Sequence, residues 1–306
     1  MLNNKYYASL FFMVFAAAVI SIFLLFIISS NSVATVNGEK ITAETYKDYL
    51  YNQAKSLVKT NPDVKWDEKY SSNKTFEDIF KENTINSLVS IYVVSQEAEK
   101  EGIKVNNEDI EKTQKYYPYI KNKELIRKIA LVNKFYDLKV RNITSESSEA
   151  ERYYNEHPEQ FITGDIYRID VKDIETAEAV VKAFLKGGKF EDLAKKYSID
   201  LSSKDKGGFI GNMPLSQYSS VINYDLTRIK ENQITEPINR GEYYEIILVK
   251  NISKKPFEEV KDYLISWLTG TAKEEKVANT ANEILKKAKV EIKWDEVYKT
   301  KIGNLK

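Results

Sequence analysis

A long uncharged segment near the N-terminus limits the topology of this chain more than any other feature. No charged residue lies between Lys5 and Glu39, and the run from Leu10 to Ile28 is almost wholly apolar. About 20 such residues in a helix cross the hydrocarbon core of a bilayer. Residues 1–32 are therefore predicted to form a single transmembrane anchor. Lys5 would keep the N-terminus cytoplasmic, so the folded part would face outward.

A cleaved secretory signal is the alternative to an anchor. Ser32-Val33-Ala34 resembles a cleavage site. The apolar region of a signal peptide spans about 7–15 residues, which is shorter than the run here, so the anchor is favoured. The protein is expected in the cell membrane as a single-pass protein, or secreted after cleavage. Both interpretations place the folded part outside the cytoplasm.

Composition excludes several classes of function. The chain has 306 residues, 42% of them hydrophobic, which suffices for sizeable cores. Its 46 basic and 45 acidic residues are spread along the chain, so no nucleic-acid partner is expected. The absence of cysteine excludes thiol catalysis, disulfides and lipid attachment through an N-terminal cysteine. With His157 as the single histidine, a His-rich metal site is excluded, and no cofactor or metal is implied.

Apolar spacing predicts a mainly helical region over residues 33–149, followed by an α+β unit. Asn37-Gly38 marks a tight turn, and Thr42 can cap a helix that runs to about Lys59. Further helices are predicted over Phe76–Glu101, from Glu108, over Leu125–Leu138, and from about residue 149 to Phe161. Residues 150–253 then form a linker helix and an α+β domain, and residues 254–306 a C-terminal segment that is largely helical.

The α+β unit begins with an alternating run, DIYRIDV, in which Tyr167, Ile169 and Val171 share one face of a strand. Two helices, a glycine-rich segment, a helix around Ser219–Ile229 and a strand over Tyr243–Lys250 are predicted to follow. A helical tail over Phe257–Lys289 is predicted to follow this unit.

The segment DLSSKDKGGFIGN, Asp200 to Asn212, carries three glycines and raises the question of a phosphate-binding loop. Such a loop follows a buried strand and opens a helix. Here the glycines follow a helix and a polar loop, and no Gly-Lys-Ser/Thr sequence occurs. Phosphate binding is therefore rejected, and a sharp turn or close backbone approach is expected.

Four motifs in order resemble the parvulin-type peptidyl-prolyl isomerases: FEDLAKKYSID (Phe190–Asp200), KGGFIGN (Lys206–Asn212), ITEPI (Ile234–Ile238) and YYEIILV (Tyr243–Val249). The flanking sequences VNGEKIT and YYNEHPEQF resemble those of the PrsA/SurA-type extracytoplasmic folding factors. The resemblance implies a four-stranded antiparallel sheet with surrounding helices, inserted in an α-helical chaperone domain. It also implies that the C-terminal helical segment packs with the N-terminal domain.

Two histidines of that family are replaced in this chain. Arg168 stands at the position of the first, in YRID, and Glu245 at that of the second, in YYEII. A buried arginine and glutamate that meet can satisfy each other through charge-assisted hydrogen bonds. An Arg168–Glu245 pair is therefore predicted, with the alternative that both side chains face solvent.

The resemblance assigns the remaining site residues. Asp200 matches an acidic residue near the family's active loop, and a turn cap is the alternative. Ile210, Tyr218 and Ile222 fall at the positions of the apolar proline pocket, and ordinary core is the alternative. Asp200, Arg168 and Glu245 are thus the candidate catalytic residues, and the other three the candidate substrate-binding residues.

The predicted function is that of a membrane-anchored extracytoplasmic folding factor, a chaperone or foldase for secreted proteins, whose isomerase activity is weak or lost. The alternative is an active peptidyl-prolyl cis-trans isomerase, and a third hypothesis is a docking scaffold. The expected partners are unfolded secreted polypeptides and their X–Pro segments. The sequence leaves open whether the helical segments pair with a second copy in a homodimer.

Overall fold

The computed structural model describes residues 32–71, 73–303 and 305. The predicted anchor lies outside the described residues, except for its last residue, Ser32. None of the helices that the structure describes combines the length and apolar character needed to cross a membrane.

The chain forms two compact units. One combines the described residues up to Ile143 with those from Lys273 onward, and the other spans Thr144–Ala272. The second unit therefore lies, in sequence, between two segments of the first. The long helix α9, Phe257–Leu285, contributes residues to both.

The first unit is mainly helical, with short strands. Its helices, apart from the end of α9, are α1 (Ala43–Thr60), α2 (Phe76–Lys100), α3 (Asn107–Tyr116), α4 (Lys123–Val140) and α10 (Trp294–Lys299). Its strands are β1 (Ser32–Val36), β2 (Glu39–Thr42), β3 (Lys69–Ser71), β4 (Lys74–Thr75) and β9 (Val290–Ile292).

Polar caps fix where these helices begin. Thr42 accepts a hydrogen bond from the Thr45 amide at the start of α1, which confirms the predicted cap. Thr75 and Asn106 each form a reciprocal capping box at the starts of α2 and α3. The short hairpin β3–β4 was not predicted, since residues 63–74 are polar and lack an alternating pattern.

A three-stranded sheet in the order β2-β1-β9 joins the beginning and the end of the described chain. β1 and β2 are connected by the predicted Asn37-Gly38 turn, whose residues have φ values of +48° and +89°. On the other side, β1 pairs antiparallel with β9. The core beneath contains buried residues from both ends of the chain, including Val33, Val297 and Ile302.

The second unit is the α+β part. Its helices, apart from the beginning of α9, are α5 (Ser147–Glu156), α6 (Ile174–Leu185), α7 (Phe190–Tyr197) and α8 (Leu215–Ile222). Its strands are β5 (Ile162–Val171), β6 (Phe209–Pro214), β7 (Ile238–Asn239) and β8 (Tyr244–Lys254). They form the expected four-stranded antiparallel sheet, in the order β6-β5-β8-β7.

Both faces of this sheet are covered, because alternate residues of a strand point to opposite sides. On one face, Ile169 and Ile246 pack with residues of α6 and α7. On the other face, which we call the α8 face, Ile166, Ile247 and Val249 pack with residues of α8.

Three predicted helix boundaries are wrong. The helix expected around Ser219–Ile229 runs from Leu215 to Ile222, because Asn223 adopts a left-handed conformation, φ +52°, that ends it. The helix expected to reach Phe161 ends at Glu156, because Pro158 lacks an amide proton to continue it. The C-terminal helix ends at Leu285 rather than Lys289.

Candidate functional site

Arg168, Asp170 and Glu245 lie on the α8 face, near the end of β5 and the beginning of β8, the two central strands of the sheet. In the antiparallel pair of β5 and β8, Asp170 is directly opposite Glu245, and Arg168 is opposite Ile247. All three therefore project toward the same side as the apolar residues that pack on α8. The two family positions, 168 and 245, are thus brought to one face, diagonally across the strand pair.

Arg168 binds Asp200 rather than Glu245. Its Nη2 and Nε atoms lie 2.9 Å and 3.1 Å from Oδ2 of Asp200, and Nε lies 3.7 Å from Oδ2 of Asp170. Burial tends to lower the pKa of Arg168, but the hydrogen bond to Asp200 and the charge of Asp170 outweigh it and raise the pKa. The guanidinium therefore stays charged.

Asp200 is held in a turn directly after α7. Its carboxylate accepts hydrogen bonds from the amide and hydroxyl of Ser202, the latter at 2.8 Å, and from the hydroxyl of Ser203. Burial tends to raise its pKa, but these bonds and that from Arg168 hold the pKa well below its usual range. Asp200 is therefore a turn cap and the anionic partner of Arg168, and its catalytic role stays a prediction.

The glycine-rich segment brings this turn against the strand. Gly208 has a φ of +87°, and its carbonyl accepts a 2.8 Å hydrogen bond from the Arg168 amide. A β-carbon at Gly208 would lie 2.6 Å from the Arg168 carbonyl oxygen. The glycines thus permit a close backbone approach that fixes Arg168 and Asp200 relative to each other, as expected.

Glu245 is 2% exposed and is reached by Tyr218. The Tyr218 hydroxyl donates a 2.6 Å hydrogen bond to Oε1 of Glu245, and Tyr218 and Arg168 influence each other's pKa. Burial raises the pKa of Tyr218, and Glu245 raises it further, so the hydroxyl keeps its proton. The prediction of a direct Arg168–Glu245 pair is wrong, because Tyr218 lies between them and Asp200 takes the guanidinium.

Arg240 is a member of this cluster that the sequence analysis missed. Its Nε lies 3.4 Å from Oε2 of Glu245, and its Nη2 donates a 3.0 Å hydrogen bond to the carbonyl of Val221 at the end of α8. The turn at Gly241, φ +90°, brings it there. The signal in the sequence is an arginine beside a turn glycine, just before the strand that carries a buried glutamate.

Asp170 is the second missed member. Burial raises its pKa to about 6 against the opposing effect of Arg168, with Glu245 and Asp200 adding to the rise. Its Oδ1 atom is buried without a hydrogen-bond partner. The available signal was its strand position, two residues after Arg168 and therefore on the same face.

The three predicted pocket residues come together in the apolar cluster of the α8 face. Ile222 is 2% exposed and Tyr218 7% exposed, while Ile210 is half-buried. Their neighbours include Leu226 and Ile238 of the same chain. In this arrangement Tyr218 and Ile222 are part of the core, and little of their apolar surface is open to a ligand.

The cluster therefore has the chemistry of a structural charge network. Two guanidinium groups, of Arg168 and Arg240, face three carboxylates, of Asp170, Asp200 and Glu245, around one hydroxyl. Charge-assisted hydrogen bonds of this kind are strong and orient their partners. Within the residues that the structure describes, no group of histidines or carboxylates is arranged to hold a metal ion.

Comparison with known proteins covers both units. Residues 2–128 match the SurA-like N-terminal domain, and residues 168–251 match the PPIC-type PPIASE (rotamase) domain. The chain is 33% identical to the foldase protein PrsA of Caldanaerobacter subterraneus subsp. tengcongensis, over 90% of this chain and 91% of that protein. It is 26% identical to the putative peptidyl-prolyl cis-trans isomerase YacD of Bacillus subtilis, over 77% of each chain.

A crystal structure of the peptidylprolyl isomerase PrsA from Bacillus cereus aligns with 76% of this chain and 96% of that chain. The identity is 19% and the TM-score 0.43. The sequence match over nine-tenths of the chain, together with the two domain matches and the four-stranded antiparallel sheet, carries the assignment. This chain belongs to the PrsA family of foldase proteins.

Proposed function

We propose that this chain acts outside the cytoplasm as a tethered folding factor that binds unfolded secreted polypeptides, while its rotamase domain has weak or no isomerase activity. Residues 10–28 would supply the tether. The N-terminus would remain cytoplasmic, and both compact units would face the emerging clients.

One observation carries the proposal of weak activity: Tyr218 fills the space between Arg168 and Glu245 and is buried there. Isomerisation forms and breaks no covalent bond, so catalysis depends on favouring the twisted amide over a barrier of about 18–20 kcal/mol. A site must receive the prolyl ring to do this. With Tyr218 and Ile222 in the core, the α8 face offers little surface for that ring.

An active isomerase is the second candidate, and the geometry around Asp200 favours it. The turn that holds Asp200 and the close approach at Gly208 are well ordered by hydrogen bonds. An apolar cleft can accelerate rotation without an acid or base, so the replacement of both histidines does not by itself exclude activity.

The test is the rate of cis-trans exchange in short X–Pro peptides, measured with the full chain in a mild non-ionic detergent. Uncatalysed exchange takes tens to hundreds of seconds, so acceleration is readily seen. We expect no acceleration across a series of residues before the proline. In the same preparation, aggregation of an unfolded client protein should be suppressed.

The double variant Arg168→His/Glu245→His is the matched comparison. If it gains activity, the defect lies in this pair. A clear rate increase by the unmodified chain would contradict weak activity and make the protein an isomerase. Failure to suppress client aggregation would contradict the folding-factor role.

A further inference from the structure

The proposed tether ends very close to the folded part of the chain. Three residues, Ser29, Ser30 and Asn31, separate Ile28, the last residue of the apolar run, from Ser32, the first residue of β1. A chain spans at most about 3.6 Å per residue, so the Cα atom of Ser32 lies within about 14 Å of that of Ile28. This limit holds for every conformation of the three linking residues.

Ser32 therefore lies close to the bilayer surface. The headgroup region of one leaflet is about 5–8 Å thick, from a total thickness of about 40–45 Å and a hydrocarbon core of about 30 Å. With Ile28 at the edge of that core, Ser32 is at most about 9 Å beyond the headgroups. Ser32 is also 2% exposed, and its hydroxyl oxygen is 3.0 Å from the Nζ atom of Lys293. Because Ser32 is inside the first unit, the surface of that unit around Ser32 must lie at the headgroups.

Trp294 lies at this tether end of the three-stranded sheet. β1 pairs antiparallel with β9, and Val36 is opposite Val290. The Lys293 amide continues the register with a 2.8 Å hydrogen bond to a carbonyl of β1, so Trp294 falls level with Ser32. Val290 is level with the other end of β1, about 13 Å further from the tether, from four residues at a rise of about 3.3 Å each.

The side chains at the tether end have the chemistry of a membrane–water interface. Trp294 is 40% exposed, and its ring stacks on that of Tyr298, with 6.1 Å between the ring centroids. Lys293, next to it, is exposed. Tryptophan and tyrosine are enriched where a bilayer meets water, because their rings are apolar and carry one polar group. A lysine there can lay its stem along the apolar region and keep its ammonium group in water.

The charges at this end do not favour one sign of lipid. Asp295 and Glu296 follow Trp294 directly, so the positive charge of Lys293 is accompanied by two negative charges. Attraction to anionic lipids needs an excess of basic residues near the surface. The Trp294 ring, rather than net charge, is therefore the feature that fits a bilayer.

We propose that Trp294, Tyr298 and Lys293 form a membrane-contact surface, in which the Trp294 ring enters the boundary between the headgroups and the acyl chains. The inference rests on the proposed function in that the tether must cross the bilayer. It adds a second point of attachment, which restricts rotation of the first unit about the tether. The partner of this surface is the lipid bilayer itself, whatever the charge of its headgroups.

The test is fluorescence of Trp294 in the full chain, reconstituted in phosphatidylcholine vesicles. The chain has three tryptophans, so the variant Trp66→Phe/Trp267→Phe leaves Trp294 as the single emitter. Phosphatidylcholine brominated near the top of the acyl chains should reduce its emission at least about twofold, because the ring lies at that depth. Replacing half of the lipid by phosphatidylglycerol should change this reduction by less than about 20%.

Val290 provides a matched control on the same segment of the chain. It is 38% exposed, against 40% for Trp294. In the same background, Trp294→Phe/Val290→Trp moves the single tryptophan to the other end of the sheet. Brominated lipid should reduce its emission by less than about 20%, because this site is about 13 Å further from the tether.

A second measurement keeps all three tryptophans in place. The chain lacks cysteine, so Asp295→Cys and Val290→Cys each accept one nitroxide label. Electron paramagnetic resonance then compares the collision of each label with oxygen, which concentrates in lipid, and with a water-soluble nickel complex. The label at position 295 should favour oxygen and the label at position 290 the nickel complex. This comparison decides the matter if the tryptophan-depleted background misfolds.

Flotation of the chain with the vesicles after an alkaline wash reports insertion of the tether separately. An inserted chain with equal quenching at both positions, or with both nitroxides equally exposed to nickel, overturns the membrane contact and leaves the tethered folding factor intact. Quenching of Trp294 that requires anionic lipid also overturns the inference, since lysine attraction would then replace the ring. A chain that does not float contradicts the tether, and the contact falls with it.

Discussion

A single tyrosine hydroxyl, that of Tyr218, interacts with two oppositely charged side chains, Arg168 and Glu245. A hydroxyl can accept a hydrogen bond from a guanidinium and donate one to a carboxylate at the same time. Tyr218 donates to Glu245, and the positive charge of Arg168 acts on the same hydroxyl. The two charges are therefore linked through Tyr218, without a direct ion pair between them.

The charge balance of the cluster predicts that Asp170 opposes folding at neutral pH. Its pKa is raised from 3.8 to about 6 in the folded state. A raised folded-state pKa stabilises the fold below the unfolded pKa, and this contribution is lost as the pH rises through about 6. At 1.36 kcal/mol per unit, the loss is about 3 kcal/mol.

Asp170→Asn should therefore stabilise the second unit at pH 7.5 by up to about 3 kcal/mol, and change it little at pH 4. Asparagine has a similar shape and does not ionise, so the pH-dependent cost disappears. The free energy of unfolding in urea at the two pH values checks this. The control is Asp205→Asn, which removes the charge of an exposed carboxylate. An equal effect of Asp170→Asn at both pH values would contradict the prediction.

At the scale of elements, the turn between α7 and β6 depends on Gly208. Alanine there would need a positive φ of +87°, which costs about 1–2 kcal/mol, and its β-carbon would lie 2.6 Å from the Arg168 carbonyl oxygen. The turn would have to move away from β5, lengthening the hydrogen bond from the Arg168 amide. Gly208→Ala should therefore cost more than about 3 kcal/mol of unfolding free energy.

Gly187→Ala separates backbone strain from the steric clash. Gly187 also has a positive φ, +96°, but a β-carbon there would meet nothing within 4 Å. It should cost only the strain of about 1–2 kcal/mol. Urea unfolding of the two variants compares them, and equal losses would show that the close approach to Arg168 does not matter.

The residues that share one face of a strand could be predicted from the sequence. The side chains that they contact could not. The alternation in β5 assigned Arg168 to its face, because the period of a strand is a local property. The partner of Arg168 depends on how the Asp200 turn meets the strand, which no local pattern contains. Arg240 escaped prediction for the same reason, since its contact with Glu245 requires β7, the following turn and α8 to be placed together.

The same distinction applies to helix boundaries: those set by a local cap could be predicted, and those set by other contacts could not. The starts of α1 and α2 were predictable because the caps Thr42 and Thr75 act within one turn. The helix α8 was misplaced because its apolar residues continue past Asn223, and the left-handed conformation of that residue is not marked by a glycine. The proline pocket was predicted as a set, but its burial depends on packing against β8 and the loop after α8.

At the scale of the whole molecule, the two ends of the described chain complete one unit. The Lys293 amide donates a 2.8 Å hydrogen bond to the carbonyl of Val33, and Asn37 exchanges two 2.8 Å hydrogen bonds with the backbone of Lys289. The second unit has its own hydrophobic clusters on both faces of its sheet. The stability of each unit therefore rests on a separate core.

A charge placed in the C-terminal helix should accordingly destabilise the first unit alone. Val297 on α10 is fully buried in a core that includes residues of β1. Val297→Asp would bury an unpaired carboxylate there and lower the free energy of unfolding by about 3 kcal/mol or more. Val290, on the edge strand β9, is 38% exposed, so Val290→Asp should cost less than about 1 kcal/mol. Hydrogen exchange resolved by peptide should then show lost protection in α1, α2 and α4 for Val297→Asp, with β5 and β8 unchanged. Loss of protection in both units together would contradict separate cores, because it would mean that the inserted unit folds only when the chain ends are joined.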